Sequence, residues 1–148
     1  PATLPSAESK GFQEVAVLRQ QLLENRSKPS VDPSQWITHQ WLEFLAGTPA
    51  NLPDATLRAW DKQFGFARHS NPEIRCAFLV IALNRGLLDF ANEASDFVRR
   101  VGRRKFVLPI FKALSESPDG RSKARQLFKE IRNRMHFITR NSVAKILH

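Results

Sequence analysis

The chain has 148 residues with 42% hydrophobic side chains, one Cys, nine Pro and six Gly, the composition of an ordinary globular chain rather than a disordered tail. A chain of this length buries roughly 70% of the surface it exposes when unfolded, so it needs neither metal nor disulfide to hold a core. The lone Cys76 cannot bridge internally, so nothing argues for secretion, and the longest apolar run, Cys76 to Leu83, is far below the ~18 residues that cross a bilayer, which excludes a membrane span.

The net charge of +9 is unevenly placed. Residues 1–98 hold nine basic and eleven acidic side chains, a balance of −2, whereas residues 99–148 hold fourteen and three, a balance of +11. An anionic partner is expected to meet the C-terminal third. The chain opens on Pro1 without a basic-then-apolar leader, from which a fragment of a longer cytoplasmic protein is expected.

Apolar spacings of three and four predict helices joined by short turns, and no strand. The first helix is expected over residues 7–25. A second begins with Asp32 as N-cap and Pro33 at the first position, carries Trp36, Trp41, Phe44 and Leu45, and stops at Gly47. Pro53 opens a third that holds Leu57, Trp60 and Phe64 and ends at Gly65. Ser70 or Asn71 caps a fourth, with Pro72 and Glu73 in its first turn and Gly86 at its close. Four more are expected at 88–101, 103–116, 121–134 and 139–147. Eight helices with short connections predict one all-α domain over 1–148, an array of helical hairpins or an α-solenoid. Residues 1–6 and 26–34, rich in Pro and Ser, read as loose segments.

No catalytic or metal-ligating constellation is visible. The histidines His39, His69, His136 and His148 never form H-E-x-x-H, no Cys pair exists, and the glycines stand singly at helix ends. Cys76 reads as a buried, inert thiol and His136 as a packed or capping residue. The aromatics Trp36, Trp41, Trp60 and Phe64 read as core.

The cations around Gly102 are different. Arg99, Arg100, Arg103, Arg104 and Lys105 place five positive charges within seven residues. Arg99 and Arg100 suit the negative end of a helix, but Arg103, Arg104 and Lys105 stand at the positive end of the next, where a cation is unfavourable. A local rule broken without local compensation points to function, with solvated side chains whose stems cover apolar surface as the alternative reading. Pro109, four residues after Lys105, is expected to kink the helix that follows. A second basic series, Arg121, Lys123, Arg125, Lys129, Arg132 and Arg134, reads as the solvated face of an amphipathic helix, with a nucleic-acid or acidic-protein surface as the rival reading.

The stretch G-R-R-K-F-V-L-P-I-F-K-A-L, Gly102 to Leu114, resembles the G-R-x-K-F-x-x-P-L-[FY]-x-x-L pattern of leukotriene A4 hydrolase, aminopeptidase B and their bacterial relatives. Trp36 to Leu45 resembles that family's W-x-T-x-x-W-x-x-F-L, Asn71 to Arg75 its N-x-E-I-R, and Met135 to Thr139 its closing [YM]-H-x-[VI]-T. Order and approximate spacing agree from about residue 4 to 147. The resemblance implies the last domain of a zinc aminopeptidase, two layers of antiparallel helices with an armadillo-like or HEAT-like course. It implies that zinc and the catalytic residues belong to preceding domains, which would be this chain's intramolecular partners. It further implies that Arg103 and Lys105, at the motif's Arg and Lys, hold the C-terminal carboxylate of a short peptide substrate, while Arg104 falls at the variable position. No nucleic acid, membrane or metal partner is implied for this part of the enzyme.

Overall fold

A computed structural model describes residues 7–25 and 29–148, and every regular element among them is helical. The α-helices are α1 (Ala7–Leu23), α2 (Thr38–Ala46), α3 (Asp54–Phe64), α4 (Pro72–Asn84), α5 (Ala91–Val101), α6 (Arg104–Leu114), α7 (Pro118–Ile131) and α8 (Phe137–Leu147), with single 3-10 turns at Pro33–Gln35, Phe66–Arg68, Leu88–Phe90 and Arg132–Arg134. The expected all-α class and eight helices are therefore present. Of the segments expected to be loose, 1–6 and 26–28 lie outside the described residues.

By its contacts the chain divides into two compact units, 1–52 and 53–148. In the first, α1 packs on α2, with Val15, Leu18, Phe44 and Leu45 buried. Gln21, also buried, is satisfied by a reciprocal pair: its amide donates to Ser30 Oγ and its carbonyl accepts from the Ser30 N–H, each at 2.8 Å. The Arg19 guanidinium donates to the carbonyls of Glu43 and Phe44, which lie in the last turn of α2 where a cation is favoured.

The continuous helix expected from Asp32 to Gly47 is broken in the structure. Asp32 does cap, accepting from the Ser34 N–H at 2.9 Å, but it caps only the turn Pro33–Gln35. Trp36 and Ile37 then adopt extended backbone, and α2 restarts at Thr38. Two interactions fit the break: Ile37 N–H donates to Gln40 Oε1 at 3.0 Å, and Trp36 turns back against Trp41 at 4.8 Å between ring centres.

In the second unit the boundaries follow the punctuation. Asn71 Oδ1 accepts from the Glu73 N–H at 2.9 Å to cap α4, and Gly65, Gly86 and Gly102 hold φ of +68°, +78° and +66°, the left-handed conformation that ends helices. The expected start of the seventh helix at 121 is corrected to Pro118, because Ser117 accepts from the Gly120 N–H at 3.1 Å and Pro118 occupies the first turn. That helix ends at Ile131, and residues 132–134 form a tighter turn.

Contacts in this unit alternate between two layers. Helix α6 packs on α4 and α8, α7 packs on α5, and consecutive helices from α4 to α8 pack across. Phe64, Phe66, Phe78 and Phe90 form a ladder of rings 5.3–5.5 Å apart, and Trp60, Phe97 and Phe111 are almost fully buried. Trp60 is thus core as expected. Helix α6 runs through Pro109, which takes the place of one backbone donor within it.

Candidate functional site

The junction of α5 and α6 carries the cationic cluster. Gly102 makes the turn possible: at φ +66° it lets the Arg103 N–H fold back onto the Val101 carbonyl at 2.8 Å, a conformation costly to any residue with a Cβ. Arg103 becomes the N-cap of α6, with extended backbone, and its carbonyl accepts from Phe106 and Val107 at 3.0 and 2.9 Å. Helix α6 is anchored by Phe106 and Val107, each 2% exposed, so the residues just ahead of them are fixed at its mouth.

Tertiary structure gives partners to several of these cations, of which Arg99 and Lys105 meet carboxylates. Arg99 lies between two carboxylates, donating to Asp96 at 2.9 Å and to both oxygens of Glu130 at 3.0 Å. These bonds hold the Glu130 carboxyl below its ordinary range and the Arg99 guanidinium above its own. Arg104 donates to Ser142 Oγ on α8 at 3.0 Å. Lys105 is ion-paired to Glu73 in the first turn of α4, so the packing of α4 on α6 joins Asn71–Arg75 to Gly102–Leu114.

Among the described residues Arg103, unlike Arg104 and Lys105, has no side-chain hydrogen bond. It is exposed, its guanidinium carbon lies 5.5 Å from the centre of the Phe106 ring, and among the described residues it has no carboxylate partner. The Lys105 ammonium lies at the same 5.5 Å from that ring. Phe106 therefore contacts both cations, which are attracted to its π system. Arg103 and Lys105 thus each lie against the same ring, and Lys105 is paired with Glu73, which the sequence showed only as a first-turn acid. The pairing of Glu73 with Lys105 spans 32 residues and has no local signature.

Arg75 is placed structurally. Its guanidinium donates to the carbonyls of Ala67 at 2.9 Å and Glu93 at 3.3 Å and stacks 5.2 Å from the centre of Phe97. The buried Cys76 thiol is pushed up to about 11, first by burial, then by Glu73, against the opposing charge of Lys105. His136 caps α8, its Nδ1 accepting from the Ile138 N–H at 3.3 Å, as expected for a capping residue.

Part of the second basic series is also engaged. Arg121 donates to the carbonyls of Ser115, Ile146 and His148, and Arg125 donates to that of Leu147, so both grip the end of α8. Lys123, Lys129, Arg132 and Arg134 remain exposed. Among the described residues no three His, Cys, Asp or Glu side chains gather as a metal site, and no helix is long and apolar enough to cross a membrane.

The sequence pattern of the family described as "Leukotriene A4 hydrolase, C-terminal" matches residues 36–147, a run that crosses the boundary between the two units. A protein named leucine aminopeptidase 2 from Neurospora crassa is 29% identical over 119 residues, covering 78% of this chain and 18% of that protein. The chain thus spans less than a fifth of the length of the curated relative it matches.

Proposed function

This chain belongs to the family of leukotriene A4 hydrolase C-terminal domains, and on that premise we propose that it is the non-catalytic C-terminal domain of a longer zinc aminopeptidase acting on short peptides, and that Arg103 and Lys105 hold the substrate's C-terminal carboxylate. The described residues do not fit a zinc site, so the metal is assigned to the part of the enzyme outside this chain. In that enzyme both units form one domain that closes one side of the catalytic cleft. The single family match across both units supports that reading.

The observation that carries the carboxylate role is the exposed guanidinium of Arg103 at the α6 N-cap, which has no carboxylate partner among the described residues. A guanidinium presents a planar fork that accepts both oxygens of a carboxylate, and the exposed N-terminus of α6 adds positive potential at the same place. Lys105 contributes charge without a demand on geometry. A peptide anchored by its C-terminal end is positioned for cleavage at the other, so binding energy far from the reacting bond orients it, and long polypeptides are excluded. The rival reading, a surface for polynucleotides, lacks the interleaved aromatics of a stacking platform on α7. The test is substitution of Arg103 in the full-length enzyme, read on a peptide and on the same peptide with its C-terminus amidated.

A further inference from the structure

Phe106 lies in the first turn of α6 and is almost fully buried. Its ring meets that of Phe97 on α5 at a steep angle, 5.9 Å between centres, and Phe97 in turn carries the Arg75 guanidinium of α4 at 5.2 Å. The ring is therefore fixed by its neighbours, and the Arg103 guanidinium rests over it at 5.5 Å from the centre. The other exposed cations of this junction stand differently. Lys105 lies at the same distance from the ring but is also paired with Glu73, Arg104 donates to the Ser142 hydroxyl, and Arg100 lies over no ring among the described residues. Arg103 has no side-chain hydrogen bond and no carboxylate partner among the described residues, so the ring is the contact that gives its guanidinium a direction.

We infer that Phe106 is a positioning residue, whose buried ring holds the Arg103 guanidinium in the place from which it meets a substrate carboxylate. The inference rests on the carboxylate-binding role proposed for Arg103. A long, flexible Arg side chain samples many rotamers, and few of them can make the two parallel N–H···O bonds that a carboxylate accepts. The negative face of an aromatic ring attracts the guanidinium and restricts it. A guanidinium that rests on a ring uses its π face and keeps its N–H donors for a ligand, so the restraint consumes none of the groups that do the binding. An ion pair would hold the group by occupying those donors, as Glu73 does at Lys105. Because Lys105 has that second anchor, the ring acts chiefly through Arg103. Weakening its attraction should lower kcat/KM by about two- to fivefold on a substrate held by its carboxylate and leave a substrate without one unaffected.

The decisive experiment changes the charge distribution of the ring at nearly constant shape. Phenylalanine carrying three ring fluorines is placed at position 106 of the full-length enzyme, and kcat/KM is measured on a tripeptide and on its C-terminal amide. The value on the acid should fall about two- to fivefold with the amide unchanged, and Phe106→Leu should shift the acid-to-amide ratio in the same direction. The shift should vanish in an Arg103→Ala background and persist in a Lys105→Ala background. A merely structural Phe106 would lower both substrates together or, on fluorination, neither, and an unchanged ratio overturns the inference. So does a shift that survives Arg103→Ala, because the ring would then not act through that residue. Should Phe106→Leu fail to fold, the fluorinated ring decides. Arg103→Ala alone separates the two levels. If that variant still favours acid over amide, the carboxylate reading falls and this inference with it. If it loses the preference while fluorination leaves the wild-type ratio intact, only the positioning role falls.

Discussion

Glu73, in the first turn of α4, and Lys105, in the first turn of α6, form an ion pair that joins two segments 32 residues apart in the chain. Both side chains reach solvent, so the pair adds little to stability, and its consequence is positional. It accounts for one of the three cations that stand at the unfavourable end of α6. Arg104 donates to the neutral Ser142 hydroxyl, and Arg103 lies against the Phe106 ring with no carboxylate partner among the described residues.

Two glycines test the backbone that builds this junction and the helix after it. Gly102 has open space where a Cβ would go but φ of +66°, so Gly102→Ala should cost ~1 to 2 kcal/mol from conformation alone. Gly120 has ordinary helical backbone, but a Cβ there would collide with the Leu114 carbonyl oxygen, and Gly120→Ala should cost about 2 to 3 kcal/mol through forced movement of the backbone. Chemical denaturation separates the causes. Asn, which tolerates positive φ, should recover part of the loss at 102 and none at 120.

The aromatic ladder sets the stability of the second unit. Phe78 is fully buried between Phe66 and Phe90, and Phe78→Ala should destabilise by ~3 to 5 kcal/mol. Phe137, 58% exposed at the start of α8, should change stability by no more than about 0.5 kcal/mol when replaced by Ala. Equal losses at the two positions would mean that Phe137 is covered in solution.

Cys76 gives a pH signature. Burial raises its thiol from the ordinary 9.0 to about 11, so between these values the folded chain holds a proton that the unfolded chain releases. Stability from this group is complete below pH 9 and is lost as pH rises toward about 11. Denaturation midpoints across that range should fall more steeply in wild type than in Cys76→Ala. Parallel slopes would show a thiol that is not buried.

Much of the fold is legible in the sequence because its helix ends are written in local chemistry. Asn71-Pro72 opens α4, and Gly65, Gly86 and Gly102 close helices by adopting positive φ. The same grammar is present in Ser117-Pro118-Asp119, and it places the start of α7 three residues before the expected 121. Asp32-Pro33 is a genuine cap on the wrong element, because the Trp36–Trp41 contact and the Gln40 bond to Ile37 accompany a restart that no spacing rule contains. At the site, the unusual placement of Arg103 and Lys105 is visible as a broken electrostatic rule. Which of the cations is compensated is not, since Glu73 and Ser142 reach α6 only through tertiary packing.

The most direct measurement of the central claim compares wild-type and Arg103→Ala full-length enzyme on a tripeptide and on its C-terminal amide. A charge-assisted contact to the carboxylate is worth ~1.5 to 3 kcal/mol, so the substitution should lower kcat/KM on the acid by roughly 10- to 150-fold, with a smaller loss for Lys105→Ala. Wild type should be correspondingly poor on the amide, and Arg103→Ala should treat acid and amide nearly alike. Equal loss on both substrates, with the preference for the acid intact, would contradict the account and assign Arg103 to the fold or a domain interface instead.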